Sequence, residues 1–215
     1  MGRYTIIQDK KGKIAILDSE SKQLITQWWD YIEAPGLITE QSEYYIAINH
    51  NKEYAIFHKD NPDEPISEWW QEIDSRGGLV QGQTEYYVAK NQNMQWAIFH
   101  KNNPHKPISQ WWEYIYVYGL IQGQSEYYIV KNHKEEAIFC INNQTEPISR
   151  WWHTIAPFGL VEGKSLYYIA QAQTGKWALF HKDNAFQPVS SWREWIEQYG
   201  ILQGQSEYYI VKNQN

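Results

Sequence analysis

Apolar and polar positions fall into blocks along this chain, and the blocks recur. Runs dense in aromatic and β-branched residues, such as Tyr127, Tyr128, Ile129 and Val130, alternate with polar stretches rich in Asn, Gln, Gly and Pro. Runs of this length and composition predict β-strands. Their central positions are apolar without alternation. A strand with one wet face alternates, so these strands are expected to be covered on both sides. A second kind of run is typified by Trp96, Ala97, Ile98, Phe99 and His100, with counterparts at residues 14–18, 54–58, 136–140 and 177–181. Its alanine is the same in all five copies (Ala15, Ala55, Ala97, Ala137, Ala178), which points to close approach of a neighbouring sheet or ring. The two kinds of run are joined by short polar links such as residues 9–12 and 91–95, which read as hairpin turns between antiparallel partners.

Two further segments complete the pattern. One runs from Pro107 and Ile108 through Ser109, Trp111 and Trp112 to Ile115. It reads either as a strand that curls at its end or as a Ser-capped helical turn with Trp111 and Ile115 stacked four residues apart. The other, residues 119–123, ends in a glycine (Gly82, Gly123, Gly163, Gly204) that reads as a tight turn into the next strand; Glu40 takes that place in the first copy. A longer link with Pro62 and Pro65 is a true loop and divides one unit from the next.

The period is about 41 residues. Doubled tyrosines begin at Tyr44, Tyr86, Tyr127, Tyr167 and Tyr208, and tryptophans keep step at Trp28, Trp69, Trp111, Trp151 and Trp192. The chain is therefore expected to be an all-β single repeat domain over residues 1–215. Its repeats fall near 14–53, 54–95, 96–135, 136–176 and 177–215, with 1–13 a partial repeat. Units of this size suit a five-bladed β-propeller. Closure is expected from the N-terminal strand at residues 13–18 joining the C-terminal blade, which lacks a strand of that kind; this would remove exposed edges. Residues 3–8 are a sixth copy of the tyrosine strand, surplus in such a ring. An open β-solenoid-like stack is the alternative, and it uses all six copies.

The order of these residues resembles the bacterial WG-repeat family. The matching residues are Trp96-Ala97 and Trp177-Ala178, Pro107-Ile108, Trp111 with Ile115, and Gly119-Leu120. The resemblance implies an all-β repeat scaffold with no common activity and no particular ligand.

Net charge is −6 with both signs interspersed and no basic block, which argues against nucleic acid and anionic membranes as partners. Twelve Trp, 17 Tyr and 6 Phe supply enough burial to hold the chain together without disulfides, and Cys140 is the single cysteine. The N-terminus has no signal-peptide core, Ile6 breaks the myristoylation pattern, and no apolar stretch approaches a membrane span, so a cytoplasmic location is expected.

The tryptophan pairs are the sharpest candidate for chemistry. The first member reads as core. The second member, Trp29, Trp70, Trp112 and Trp152, with Arg193 in the fifth copy, is the candidate binding set, an aromatic face for a sugar or a peptide. Repetition would make such binding multivalent. His58, His100 and His181 share a column with Asp18 and Cys140 and read as strand-end hydrogen-bonding groups, not metal ligands. Glu43, Glu85, Glu126 and Glu207 read as solvated strand ends. No catalytic residue, metal or cofactor is expected. The expected function is a non-catalytic scaffold for protein–protein interaction, or for self-association through residues 3–8; the alternative is a multivalent carbohydrate-binding lectin. An enzyme site at the mouth of a ring is a third reading, with no asymmetric cluster in its favour.

Overall fold

The aromatic-rich runs form antiparallel β-sheets. A computed structural model describes residues 2–212; Met1 and residues 213–215, the extreme ends of the first and last repeats, lie outside the described residues. The chain forms two compact units, residues 1–110 and 111–215. Repeats bury themselves chiefly against immediate neighbours, so contacts concentrate locally.

The first unit holds three sheets. Sheet 1 comprises β1 (Tyr4–Gln8), β2 (Ile14–Asp18) and β3 (Gln23–Leu24), with β2 in the middle. Sheet 2 orders β4 (Tyr31–Glu33), β5 (Tyr44–Ile48) and β6 (Tyr54–His58) as a meander, and sheet 3 repeats it with β7 (Glu72–Ile73), β8 (Tyr86–Lys90) and β9 (Trp96–His100). In the second unit, sheet 4 is β10 (Tyr114–Tyr116), β11 (Tyr127–Asn132) and β12 (Glu135–Cys140), and sheet 5 is β13 (Thr154–Ile155), β14 (Tyr167–Gln171) and β15 (Trp177–His181). Sheet 6 has two strands, β16 (Trp195–Ile196) and β17 (Val211–Lys212). No helix among the described residues is long and apolar enough to cross a membrane.

Register is the same in every full sheet. Tyr45 faces Phe57 and Ala47 faces Ala55, as Tyr168 faces Phe180 and Ala170 faces Ala178. Because side chains alternate along a strand, each sheet has a tyrosine face (Tyr45, Ala47, Ala55, Phe57) and an isoleucine face (Ile46, Ile56). Both are buried in sheets 2 to 5. The tyrosine face of sheet 2 packs with Ile16 of sheet 1, and that of sheet 5 packs with Ile129 and Ile138 of sheet 4. In both places an isoleucine face and a tyrosine face close one layer of core.

Three expectations are corrected. The closing strand is the first. Residues 14–18 do not join a C-terminal blade: β2 pairs with β1 along its whole length on one side and with β3 on the other, so neither edge is free. The surplus strand at residues 3–8 is thereby absorbed into sheet 1 and is not a loose arm. Second, the Gly-Leu segment, expected only to end in a tight turn, is itself helical. It forms one helical turn, α1 (Pro35–Ile38) and α2 (Tyr118–Ile121) in two copies and a 3-10 turn at Gly78–Gln81 and Gly200–Gln203. Third, the Pro-Ile-Ser-x-Trp-Trp segment is shared between two sheets. Its start lies along the outer edge of the preceding sheet, where Ile66 N–H donates to the Ile56 carbonyl and Trp70 exchanges backbone hydrogen bonds with Tyr54. Its end opens the next sheet as β7. The serine acts within this edge. Ser67 Oγ accepts from Ile56 N–H at 2.9 Å and donates to the Glu68 carbonyl, and Ser109, Ser149, Ser190 and Thr26 accept likewise from Ile98, Ile138, Leu179 and Ile16. A hydroxyl therefore replaces the carbonyl that a regular ladder would supply to a buried N–H.

Successive helical turns touch. Ser42 Oγ donates to the Leu79 carbonyl, and Ser125 Oγ to that of Leu160. Gly82 sits at φ +76°, and a Cβ there would collide with the Gln41 carbonyl of the preceding repeat. Gly163 stands in the same relation to Gln124. Both a left-handed backbone and close approach demand glycine.

Candidate functional site

Neighbouring residues of an extended chain point to opposite sides, and the tryptophan pairs are built on that parity. The second member points to the sheet that follows. Trp29 lies 5.1 Å from Phe57, Trp70 5.1 Å from Phe99, Trp112 5.4 Å from Phe139 and Trp152 5.0 Å from Phe180. The first member points back: Trp69 meets Trp29 and Phe57, Trp151 meets Trp112 and Phe139, and Trp192 meets Trp152 and Phe180. The pairs Trp69–Trp70 and Trp151–Trp152 thus each pin two layers of core.

Of the candidate binding set, Trp112 is buried and Trp29, Trp70 and Trp152 are half-buried, and the indole nitrogen of each of the four is inaccessible. Among the first members Trp28 and Trp192 are exposed, and Trp69, Trp111 and Trp151 are half-buried. Arg193 exchanges backbone hydrogen bonds with Trp177 at the edge of sheet 5, the place that Trp70 holds beside Tyr54.

The His and Glu columns, read separately from sequence, are brought together. Tyr44 pairs with His58, which sets Glu43 beside the strand end. His58 Nδ1 accepts from Asp60 N–H at 3.3 Å, leaving Nε2–H to donate to Glu43 at 3.3 Å, and Lys59 Nζ lies 3.4 Å from the same carboxylate. Sheet 3 repeats the set: His100 Nδ1 accepts from Asn102 N–H, Nε2 lies 3.0 Å from Glu85, and Lys101 is 2.8 Å away. His58 and Lys59 hold the Glu43 carboxyl below its usual range, Lys101 and His100 do so for Glu85, and Glu85 in turn raises Lys101. In sheet 1 the polarity is inverted. Arg3 stands at the Glu position and Asp18 at the His position, bridged at 2.9 Å, and the Arg3 hydrogen bond lowers the Asp18 carboxyl to about 2. That charge exchange between copies is the signal in the sequence that could have revealed the pairing.

These groups rim a cleft of about 500 Å³ in the first unit, lined among others by Arg3, Glu43, Lys59, Glu85 and Lys101. Glu43, His58 and Asp60 bring three potential ligand atoms within 4.8 Å of one another. Both imidazole nitrogens are already engaged, however, and Asn102 builds the same arrangement at His100 without a carboxylate. The set is a strand-end hydrogen-bonding cap. Cys140, half-buried and unpaired, occupies the corresponding place in sheet 4.

No family model and no curated protein matches this chain. Among solved structures, a chain of Kluyveromyces lactis Hsv2 is similar over 86% of this chain at 12% identity, with a TM-score of 0.39; the match spans 58% of that chain. A likeness at that level carries no argument.

Proposed function

We infer that this chain is a non-catalytic repeat scaffold of WG-repeat type that holds a protein partner along its charged strand ends, its small sheets being the blades of a propeller-like array. The observation that carries the reading is the doubled carboxylate–imidazole–ammonium set beside one cleft, built from Glu43, His58 and Lys59 and again from Glu85, His100 and Lys101. A row of alternating charge at the spacing of one repeat suits an extended polypeptide better than a small molecule. Salt-sensitive recognition and fast encounter follow from such a surface. A lone, half-buried cysteine is compatible with a reducing compartment. The lectin reading has less in its favour, since each second tryptophan packs one side of its ring against a phenylalanine of the following sheet.

The test is affinity capture from native cells with the natural protein and a Glu43→Lys, Glu85→Lys variant whose fold is checked by circular dichroism. A partner held by the natural protein and lost from the variant supports the reading. Equal retention by both, or glycan binding in an array with no protein partner, sinks it. Solution scattering tests the propeller-like arrangement, which fails if the particle is an elongated rod.

A further inference from the structure

The two charge sets beside the cleft are unequal at their outer surface. The side chains of Glu43 and Glu85 are 60% and 53% exposed, and those of Lys59 and Lys101 are 22% and 31% exposed. The carboxylates thus offer most of the charge that an incoming molecule can reach. The cations are also committed. Lys59 Nζ lies 2.7 Å from Asp60, Lys101 Nζ lies 2.8 Å from Glu85, and Arg3, the remaining cation of the lining, is bridged to Asp18 and Glu20. Exposed Glu40 adds another carboxylate to the same lining. An ionised carboxylate has about four acceptor sites. Glu43 and Glu85 each face one imidazole and one ammonium, so about two sites on each remain. His58 with Lys59, and Lys101 with His100, hold the two carboxyls below their usual range, so both are ionised at neutral pH. Lys101, raised mainly by Glu85, is raised by Glu43 as well, so the two sets adjoin.

We propose that the partner segment held in this cleft is basic, an extended stretch with arginines at intervals whose guanidinium groups fork onto Glu43 and Glu85. The inference rests on the scaffold reading and names the chemistry of the partner at that same site. A guanidinium presents paired, planar donors that match the edge of a carboxylate. An ammonium is a point charge, so Lys59 and Lys101 leave such an edge available on the outward side. Tyr4, Tyr44 and Leu79 also line the cleft and offer apolar surface to the stem of a long basic side chain. A net charge of −6 favours the approach of a cationic segment. An acidic segment would meet the carboxylates first and find every cation of the lining already paired.

The experiment is fluorescence anisotropy with the purified protein and two labelled peptides, one alternating arginine with serine and one alternating glutamate with serine. The arginine peptide is expected to bind, more weakly as salt is raised, and the glutamate peptide is expected not to. A Glu43→Gln, Glu85→Gln variant should lose roughly fivefold or more in affinity for the arginine peptide. The single change Glu43→Gln serves as a second variant, and circular dichroism confirms each fold. A control variant, Glu64→Gln with Glu146→Gln, removes the same charge from exposed positions outside the cleft and should bind like the natural protein. Absence of binding by the arginine peptide overturns the proposal. So do equal or tighter binding of the glutamate peptide, and equal losses in the cleft and control variants. The assay uses synthetic peptides, so its failure is read apart from capture out of cells. A captured partner that depends on Glu43 and Glu85 but meets them with an acidic segment would keep the scaffold reading and overturn this one.

Discussion

At the scale of single residues, burial of phenols is the clearest source of pH dependence. Tyr45, Tyr87, Tyr128 and Tyr168 are essentially inaccessible, and burial pushes each phenol above its usual value. The folded state therefore favours the protonated form. Its contribution is complete below about pH 10, the ordinary tyrosine value, and is lost as pH rises beyond it. A spectrophotometric titration followed alongside far-ultraviolet circular dichroism is expected to show four phenols that ionise only as the fold is lost. Ionisation of all 17 before any loss of structure would contradict the packing described above. The same scale shows what could be read in advance. Aromatic and β-branched residues at fixed places predicted strands and double-sided burial, because those properties follow from side-chain type. The link between Glu43 and His58 was hidden, since it depends on which strand lies beside which.

At the scale of elements, the tryptophan pair decides how one sheet meets the next. Its parity was open in the sequence because the segment changes sheets at that point, with Trp70 on the edge of sheet 2 and Glu72 in sheet 3. A strand assigned to a single sheet gives no reason to prefer one indole over the other. The aromatic contacts add roughly 0.5–1.5 kcal/mol per pair beyond area burial. Trp152→Ala, which removes an indole packed on both Phe180 and Trp192, is expected to cost about 3–5 kcal/mol in denaturant unfolding. Trp28→Ala, at an uncovered surface, should cost under about 0.5 kcal/mol. Comparable losses for the two would show that the pair does not point both ways. The helical turns showed in the sequence only as a terminal tight turn for a related reason: four residues with a terminal glycine fit a turn of either kind, and the contact that fixes them, Ser42 Oγ to the Leu79 carbonyl, spans two repeats.

For the whole molecule, the repeat count was legible and the ends were not. Five doubled tyrosines announced the period, yet the outcome at each terminus depended on competition for one strand, which β1 wins by pairing residue for residue with β2. Stability should accordingly vary along the chain. Amides in β5, β8, β11 and β14, central strands covered on both faces, are expected to exchange slowest by several orders of magnitude. Those of residues 208–210, without a full set of strand partners, should exchange near the rate of an open chain. Uniform protection across all six tyrosine-type strands would mean that the terminal copy is completed in solution.

Glu40 stands at φ +61° where later copies carry glycine, and its carboxylate accepts from Arg3 N–H at 3.2 Å. A side chain at a left-handed backbone carries a steric cost that glycine escapes. Glu40→Gly therefore trades that one tether to sheet 1 for a relaxed turn, and the two contributions oppose one another.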